Sequence, residues 1–221
     1  MRIVDAPVQL DRRPLGKRIA EALRHEIIFG RLRPGTALPQ EEICRRFGTS
    51  RMPARDAINI LEMEGFIARP NGKDAEVAQI TPRDIMDAFE VQATLHGLAA
   101  AWAAERATAP QLERLRVLND GMRAAAERGE IAEAAHLNGS FHRQLNRMSG
   151  SSAVIAVLRP ISAFIPDDFV AEVPEWALRG AKEHNSIIEA IEAGALDEVR
   201  RLVSAHVLHV GEELRRLLET R

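Results

Sequence analysis

Between Pro39 and Val77 the chain runs helix, glycine turn, helix and hairpin, and few folds accommodate that succession. Pro39 opens the first of these helices. Gln40, Glu41 and Glu42 fill its first turn, where the positive end of the helix dipole favours acidic groups. It runs to Phe47, and Gly48-Thr49-Ser50 forms a tight turn. A further helix follows from Arg51 to Glu64, with Ala54, Ala57, Ile58, Leu61 and Met63 as its expected inward face. Two helices joined by a three-residue turn containing Gly make a helix-turn-helix. A preceding helix, Leu15 to Phe29, carries Ile19, Leu23 and Ile27 at helical spacing, and Gly30–Gly35 reads as a turn-rich connector. After Gly65, two short apolar runs flank Pro70-Asn71-Gly72, and Asn-Gly in that setting predicts a hairpin. A hairpin placed there is a wing.

This arrangement points to double-stranded DNA. The helix starting at Arg51 would enter the major groove with its N-terminal residues leading. Arg51 and Arg55 lie four apart on that leading face, next to Ser50. Each guanidinium can fork onto a guanine edge or clamp a phosphate. Asn71, Gly72 and Lys73 form a small basic wing tip suited to a minor groove. The bland alternative is a surface hairpin with solvated arginines; the presence of helix, turn, helix and wing in order favours DNA.

Pro82 marks a boundary, with Thr81 as N-cap and Asp84 in the first turn. The expected domains are therefore 1–80, a winged helix-turn-helix, and 81–221. The second part reads as helices only, over 82–106, 109–128, 131–148, 152–164, 175–193 and 195–219. Aromatics make up 4% of the chain and Tyr is absent, so the core must come from Ala, Leu, Ile and Val, as suits helix packed on helix. The expected fold is mainly α, a winged head followed by an antiparallel bundle of about six helices. Residues 1–80 carry 14 Lys and Arg against 11 Asp and Glu, and the remainder 16 against 21. A basic head on an acidic body fits a head that meets phosphates, though ordinary fluctuation explains it equally well. One cysteine, Cys44, excludes a disulfide framework. No apolar run reaches the roughly 20 residues a bilayer span needs, and the N-terminus lacks an apolar signal core. The expected location is the cytoplasm, with no membrane partner.

Six of the seven histidines lie in the second part, at 96, 136, 142, 184, 206 and 209. Asn138 and His142 are four apart and share a helix face, while His184 and His206 come from the last two helices. Three imidazoles and one side-chain oxygen suit a divalent metal such as zinc, with nickel or manganese as alternatives. Spread over three helices, these residues equally fit packed or solvated histidines. His136 and His209 read as surface neighbours, and Trp102 and Trp176 as core or dimer contacts.

The stretch Ile27–Val77, IIFGRLRPGTALPQEEICRRFGTSRMPARDAINILEMEGFIARPNGKDAEV, resembles the GntR family of bacterial transcription regulators. SRMPARDAI followed by LEMEGFI is its most specific part. The resemblance implies that Arg51 and Arg55 contact the operator and that Gly72 approaches the minor groove. Some members also use an arginine where Glu41 stands, so that contact is not carried over. The segments ITPRDIMDAFEVQATLHGLAAAWAAERAT, LNGSFHRQLNRMSG, KEHNSIIEAI and VRRLVSAHV look like the FCD effector domain of the FadR subfamily. Many such domains hold a divalent metal through one Asp and three His. The histidines match His142, His184 and His206; the Asp position is Asn138. On the first body helix, FCD domains often read an Arg and a Glu, the Arg commonly pairing with an effector carboxylate, where this chain has Gln92 and His96. Gln92 cannot make a charged fork with a carboxylate. Gln92, His96 and Asn185 are the candidate effector-binding residues.

The resemblance implies a homodimeric regulator, usually a repressor, on a short inverted repeat. A small organic or sugar acid bound beside the metal would control it. Two alternatives stand beside it: the same regulator with a metal-free polar pocket, and a helical metalloenzyme bearing a DNA-binding head. The second lacks an acid pair or nucleophile motif to supply general-base chemistry.

Overall fold

The computed structural model describes residues 14–70, 74–162 and 175–219. They form two compact units that divide between Gln79 and Ile80. In the first, α1 (Leu15–Ile28), α2 (Gln40–Phe47) and α3 (Arg51–Met63) surround a small core capped by β1 (Ile67–Ala68) and β2 (Glu76–Val77). α1 buries Ile19, Ala20, Leu23, Ile27 and Ile28 against α3, which offers Ala54, Ala57, Ile58 and Leu61. Gly16 lets these helices approach: a Cβ there would lie 2.8 Å from the Asp56 Cβ and 3.0 Å from the Pro53 carbonyl. Arg24, buried, and Glu64, half-buried, pair at 2.6 Å and tie α1 to the end of α3. α2 ends because Gly48 takes φ +59°, a left-handed conformation that costs glycine little.

Met63, expected inside, is 76% exposed. It follows Leu61 by two residues, about 200° around the helix, and so falls opposite the apolar stripe. β1 and β2 pair antiparallel with Ile67 opposite Val77 and Ala68 opposite Glu76. A third piece joins them: Gly35 donates to the Val77 carbonyl and Leu38 to the Ala75 carbonyl, both at 2.8 Å, and Ala37 bridges to Glu76. The segment after the GRLRPG connector is thus part of the wing's sheet.

The second unit is helical: α4 (Pro82–Glu105), α5 (Ala109–Glu127), α6 (Ile131–Met148), α7 (Ser152–Ile161), α8 (Trp176–Glu192) and α9 (Leu196–Glu219). Thr81 and Asp84 close a reciprocal capping box at the start of α4. α4 packs along α9 and also meets α6 and α7, while α5 packs on α6 and α8. Two glycines set the α4–α9 seam. A Cβ on Gly97 would meet the Ser204 hydroxyl at 2.4 Å and the Arg200 carbonyl at 2.9 Å; one on Gly211 would meet the Phe89 ring at 2.6 Å. The Ser204 hydroxyl donates to the Ala93 carbonyl across the seam at 2.9 Å. Phe141, Leu145, Leu115 and Ile187 fill the core between α5, α6 and α8. No helix among the described residues is long and apolar enough to cross a membrane.

Candidate functional site

In the head, Ser50, Arg51 and Arg55 lie exposed at the start of α3. Arg51 Nη2 stands 3.1 Å from Glu41 Oε1, both side chains well exposed, and the Gln40 amide donates to the Arg51 carbonyl. The N-termini of α2 and α3 are thereby laced together. Arg55 faces a cleft lined by Asn59 of its own helix, Gln40 of α2, and Arg69 and Asp74 of the wing. Asn71, Gly72 and Lys73, the expected wing tip, lie outside the described residues.

In the body, α6, α8 and α9 bring His142, His184 and His206 together, with one ring nitrogen of each within 4.8 Å of the others. Nε2 of His142 and Nε2 of His206 are 3.2 Å apart. Two nitrogens each bound at about 2.0–2.1 Å to one ion stand about 3.0–3.4 Å apart, depending on coordination angle. Asn138 lies one turn before His142 on α6, and its Oδ1 is buried with no hydrogen-bond partner.

Two residues that no spacing pattern singled out decide which nitrogens are available. Asn119 of α5 is buried, and its Nδ2 donates to the Ala181 carbonyl at 2.9 Å and to Asn185 Oδ1 at 2.7 Å. A main-chain carbonyl only accepts, so this amide cannot be flipped. Its Oδ1 must accept from His184 Nδ1, 3.1 Å away. That fixes the His184 proton on Nδ1 and leaves Nε2 a bare lone pair, buried without a donor. Glu183 of α8 does the same for His206, accepting from its Nδ1 at 2.6 Å, and takes a second hydrogen bond from His209 Nδ1 at 2.9 Å. Phe141 stacks on His184 at 3.8 Å between ring centres and holds its plane.

Electrostatics favour neutral, ligating imidazoles. Burial pushes His142 and His184 well below the ordinary histidine value, and the neighbouring rings add to the shift. Burial raises the Glu183 carboxyl, but the hydrogen bonds from His206 and His209 outweigh it and leave the group below its usual value. Two buried acceptors without a hydrogen, His184 Nε2 and Asn138 Oδ1, and two more ring nitrogens 3.2 Å apart are groups that a divalent cation can satisfy. Asn138, His142, His184 and His206 are the residues that fit one.

The effector candidates fall on two sides. Gln92 is buried with Nε2 unpartnered. His96, one turn further along α4, has its ring 6.2 Å from that of His142 and its Nδ1 3.3 Å from Asn146 Oδ1. Burial lowers its pKa to about 4, so it is neutral. Asn185 is exposed, and its Oδ1 is occupied by Asn119. His209 is exposed yet bonded to Glu183.

Residues 15–77 match the bacterial regulatory proteins of the gntR family, and residues 87–209, more than half the chain, match the FCD domain. The chain belongs to the GntR family. It is a DNA-binding GntR transcription regulator with a C-terminal FCD domain. It is 25% identical to the Glc operon transcriptional activator of Escherichia coli K12, covering 92% of this chain and 90% of that one. It is 25% identical to the HTH-type transcriptional repressor RspR of the same strain, with the same coverage. A probable D-xylose utilization operon transcriptional repressor of Paenarthrobacter nicotinovorans is 26% identical over 90% of this chain and 88% of its own. These relatives are regulators, which sets the metalloenzyme alternative aside. Among solved structures, Escherichia coli McbR/YncC superposes with a TM-score of 0.67 at 18% identity, covering 93% of this chain and 97% of that one. Lar, which controls the Listeria monocytogenes agr system, gives 0.63 at 20% identity, covering 94% and 100%. Both share the fold.

Proposed function

We propose that this GntR regulator is a homodimeric, FadR-type repressor released from its operator by a small organic or sugar acid that binds beside a divalent metal in the FCD domain. The observation that carries the reading is the convergence of His142, His184 and His206, with His184 Nε2 buried without a partner and the orphaned Asn138 oxygen one turn from His142. Asn138, His142, His184 and His206 hold the ion, zinc by the preference of three imidazoles. When bound it supplies a Lewis-acid anchor for a carboxylate. Gln92 and neutral His96 add uncharged hydrogen-bonding groups, so the acid's charge is met at the metal. In each head Ser50, Arg51 and Arg55 read the major groove, and Asn71, Gly72 and Lys73 reach the minor groove; two heads in a dimer match an inverted repeat. Effector binding lowers operator affinity through the linkage between the two sites. The relatives include an activator as well as repressors, so the sign is tested together with the ligand.

One observation favours a second reading. Asn138 is neutral, and the 3.2 Å between His142 and His206 also suits a direct hydrogen bond between two neutral rings. The histidines would then bind the carboxylate without a metal. Elemental analysis of protein purified without chelator separates the two. Operator binding is then followed by fluorescence anisotropy with zinc, and with a panel of hydroxy acids and sugar acids. Release by an acid only when zinc is present supports the first reading. Release without metal supports the second, and an affinity that no acid changes overturns both.

A further inference from the structure

A dication on three neutral imidazoles and a neutral amide keeps its full charge, which is costly in a buried site. Among the described residues, the carboxylate hydrogen-bonded to this cluster is Glu183. It approaches from the far side of His206, at the ring nitrogen that points away from the convergent lone pairs. Its other oxygen is held by His209 at the surface, so the group is half-buried and fixed by hydrogen bonds at both oxygens. The one-residue offset of ligand and carboxylate on α8 suits this: His184 turns inward while Glu183, its neighbour, reaches across to α9.

We propose that Glu183 is the charge-compensating group of this metal centre, acting through the His206 ring in place of the carboxylate that Asn138 does not provide. A carboxylate accepting the Nδ1 proton makes the imidazole a stronger donor at Nε2 and shares the ion's charge through the ring. The negative charge thus stands outside the coordination sphere. The ion itself faces the effector with neutral ligands only, so an incoming carboxylate is its first direct anionic partner. Glu183 is a positioning residue and touches neither ion nor effector.

This inference rests on the metal reading, and its test separates the two. Glu183→Gln keeps an oxygen that accepts from His206 Nδ1 and removes the charge, giving up the acceptor for exposed His209; Glu183→Asp keeps the charge. Zinc affinity is measured on full-length protein by competition with a chromophoric chelator, and coordination geometry by the visible spectrum of the Co²⁺-loaded form. The expected result is a loss of about 10–100-fold in zinc affinity for the Gln variant with the Co²⁺ spectrum unchanged in shape. Adding Asn138→Asp to the Gln variant restores the wild-type affinity, and the Asp variant binds more tightly than the Gln variant. Wild-type zinc affinity in Glu183→Gln, or no recovery with Asn138→Asp, overturns the role of Glu183 alone. A wild-type chain that takes up neither zinc nor Co²⁺ overturns the metal reading and this inference together.

Discussion

Asn119→Ala is the most direct probe of how the helical body prepares its histidines. The substitution removes the acceptor that holds the His184 proton on Nδ1, a bond of 3.1 Å in a buried setting. Leaving that N–H without a partner costs about 1–3 kcal/mol of folding stability, and the lost amide leaves a small cavity besides. Both costs are shared by the metal-free and metal-loaded states, so they cancel when zinc stabilisation is compared between variants. What does not cancel is the loss of tautomer control, worth about 10–100-fold in metal affinity. At free zinc about 1,000-fold above the wild-type Kd, zinc stabilises the wild type by about 4.1 kcal/mol. The variant then retains about 1.4–2.7 kcal/mol at the same free zinc. Trp102 and Trp176 both lie in the body and the head has no tryptophan, so fluorescence follows the body's unfolding alone. Urea titrations in a zinc buffer and in excess chelator supply the four stabilities. If zinc stabilises the variant as much as the wild type, Asn119 merely packs, and the tautomer reasoning is wrong.

Three further predictions test other parts of the molecule. His142 and His184 are held well below the ordinary histidine value and His96 at about 4, so the unfolded chain takes up their protons first as pH falls. Metal-free protein keeps this stability above about pH 6.5 and loses up to about 1.4 kcal/mol per pH unit per histidine below it; urea midpoints from pH 8 to 5 in chelator check the slope. Arg55→Ala weakens operator binding by about 1–3 kcal/mol, whereas Glu41→Gln, which frees Arg51 and removes a negative charge, tightens binding to unrelated DNA more than to operator. Anisotropy over a salt series reads both, and equal shifts on the two DNAs would refute a selective role for Glu41. Gly97→Ala destabilises the body by about 1–3 kcal/mol because its Cβ would press on the Arg200 carbonyl at 2.9 Å, reversing the usual gain of about 1 kcal/mol for Gly→Ala within a helix. A raised urea midpoint for this variant contradicts the close seam.

The helices were legible because their ends are chemically marked. Thr81 with Asp84, Pro110 after Thr108, and Gly194 after α8 punctuate the chain, and the apolar spacing between them is regular. The edge segment after Gly35 was not legible, since three residues are too few to show alternation. The three histidines were visible as residue types, but their convergence depends on how α6, α8 and α9 pack. Glu183 and Asn119 were missed for different reasons. A glutamate on an amphipathic helix ordinarily reads as solvent-facing, and nothing local announces a partner 23 residues away. Asn119 did leave a trace: it stands among Leu115, Leu118 and Met122, on the buried stripe of α5, where an amide needs an explanation. Met63 shows the converse error, an apolar residue assigned to a stripe that its helical angle leaves.

The glycine seam between α4 and α9 has a mechanical consequence. With Gly97 against Ser204 and Gly211 against Phe89, the two longest helices of the body have no slack between them. A ligand cannot wedge them apart without breaking close contacts along much of their length. They behave as a stiff double beam, bearing Gln92 and His96 on one member and His206 on the other. Any reshaping of the pocket must therefore be absorbed by the thinner parts of the bundle, α6 and α8. Hydrogen exchange should find α4 and α9 the slowest segments, and nearly indifferent to effector.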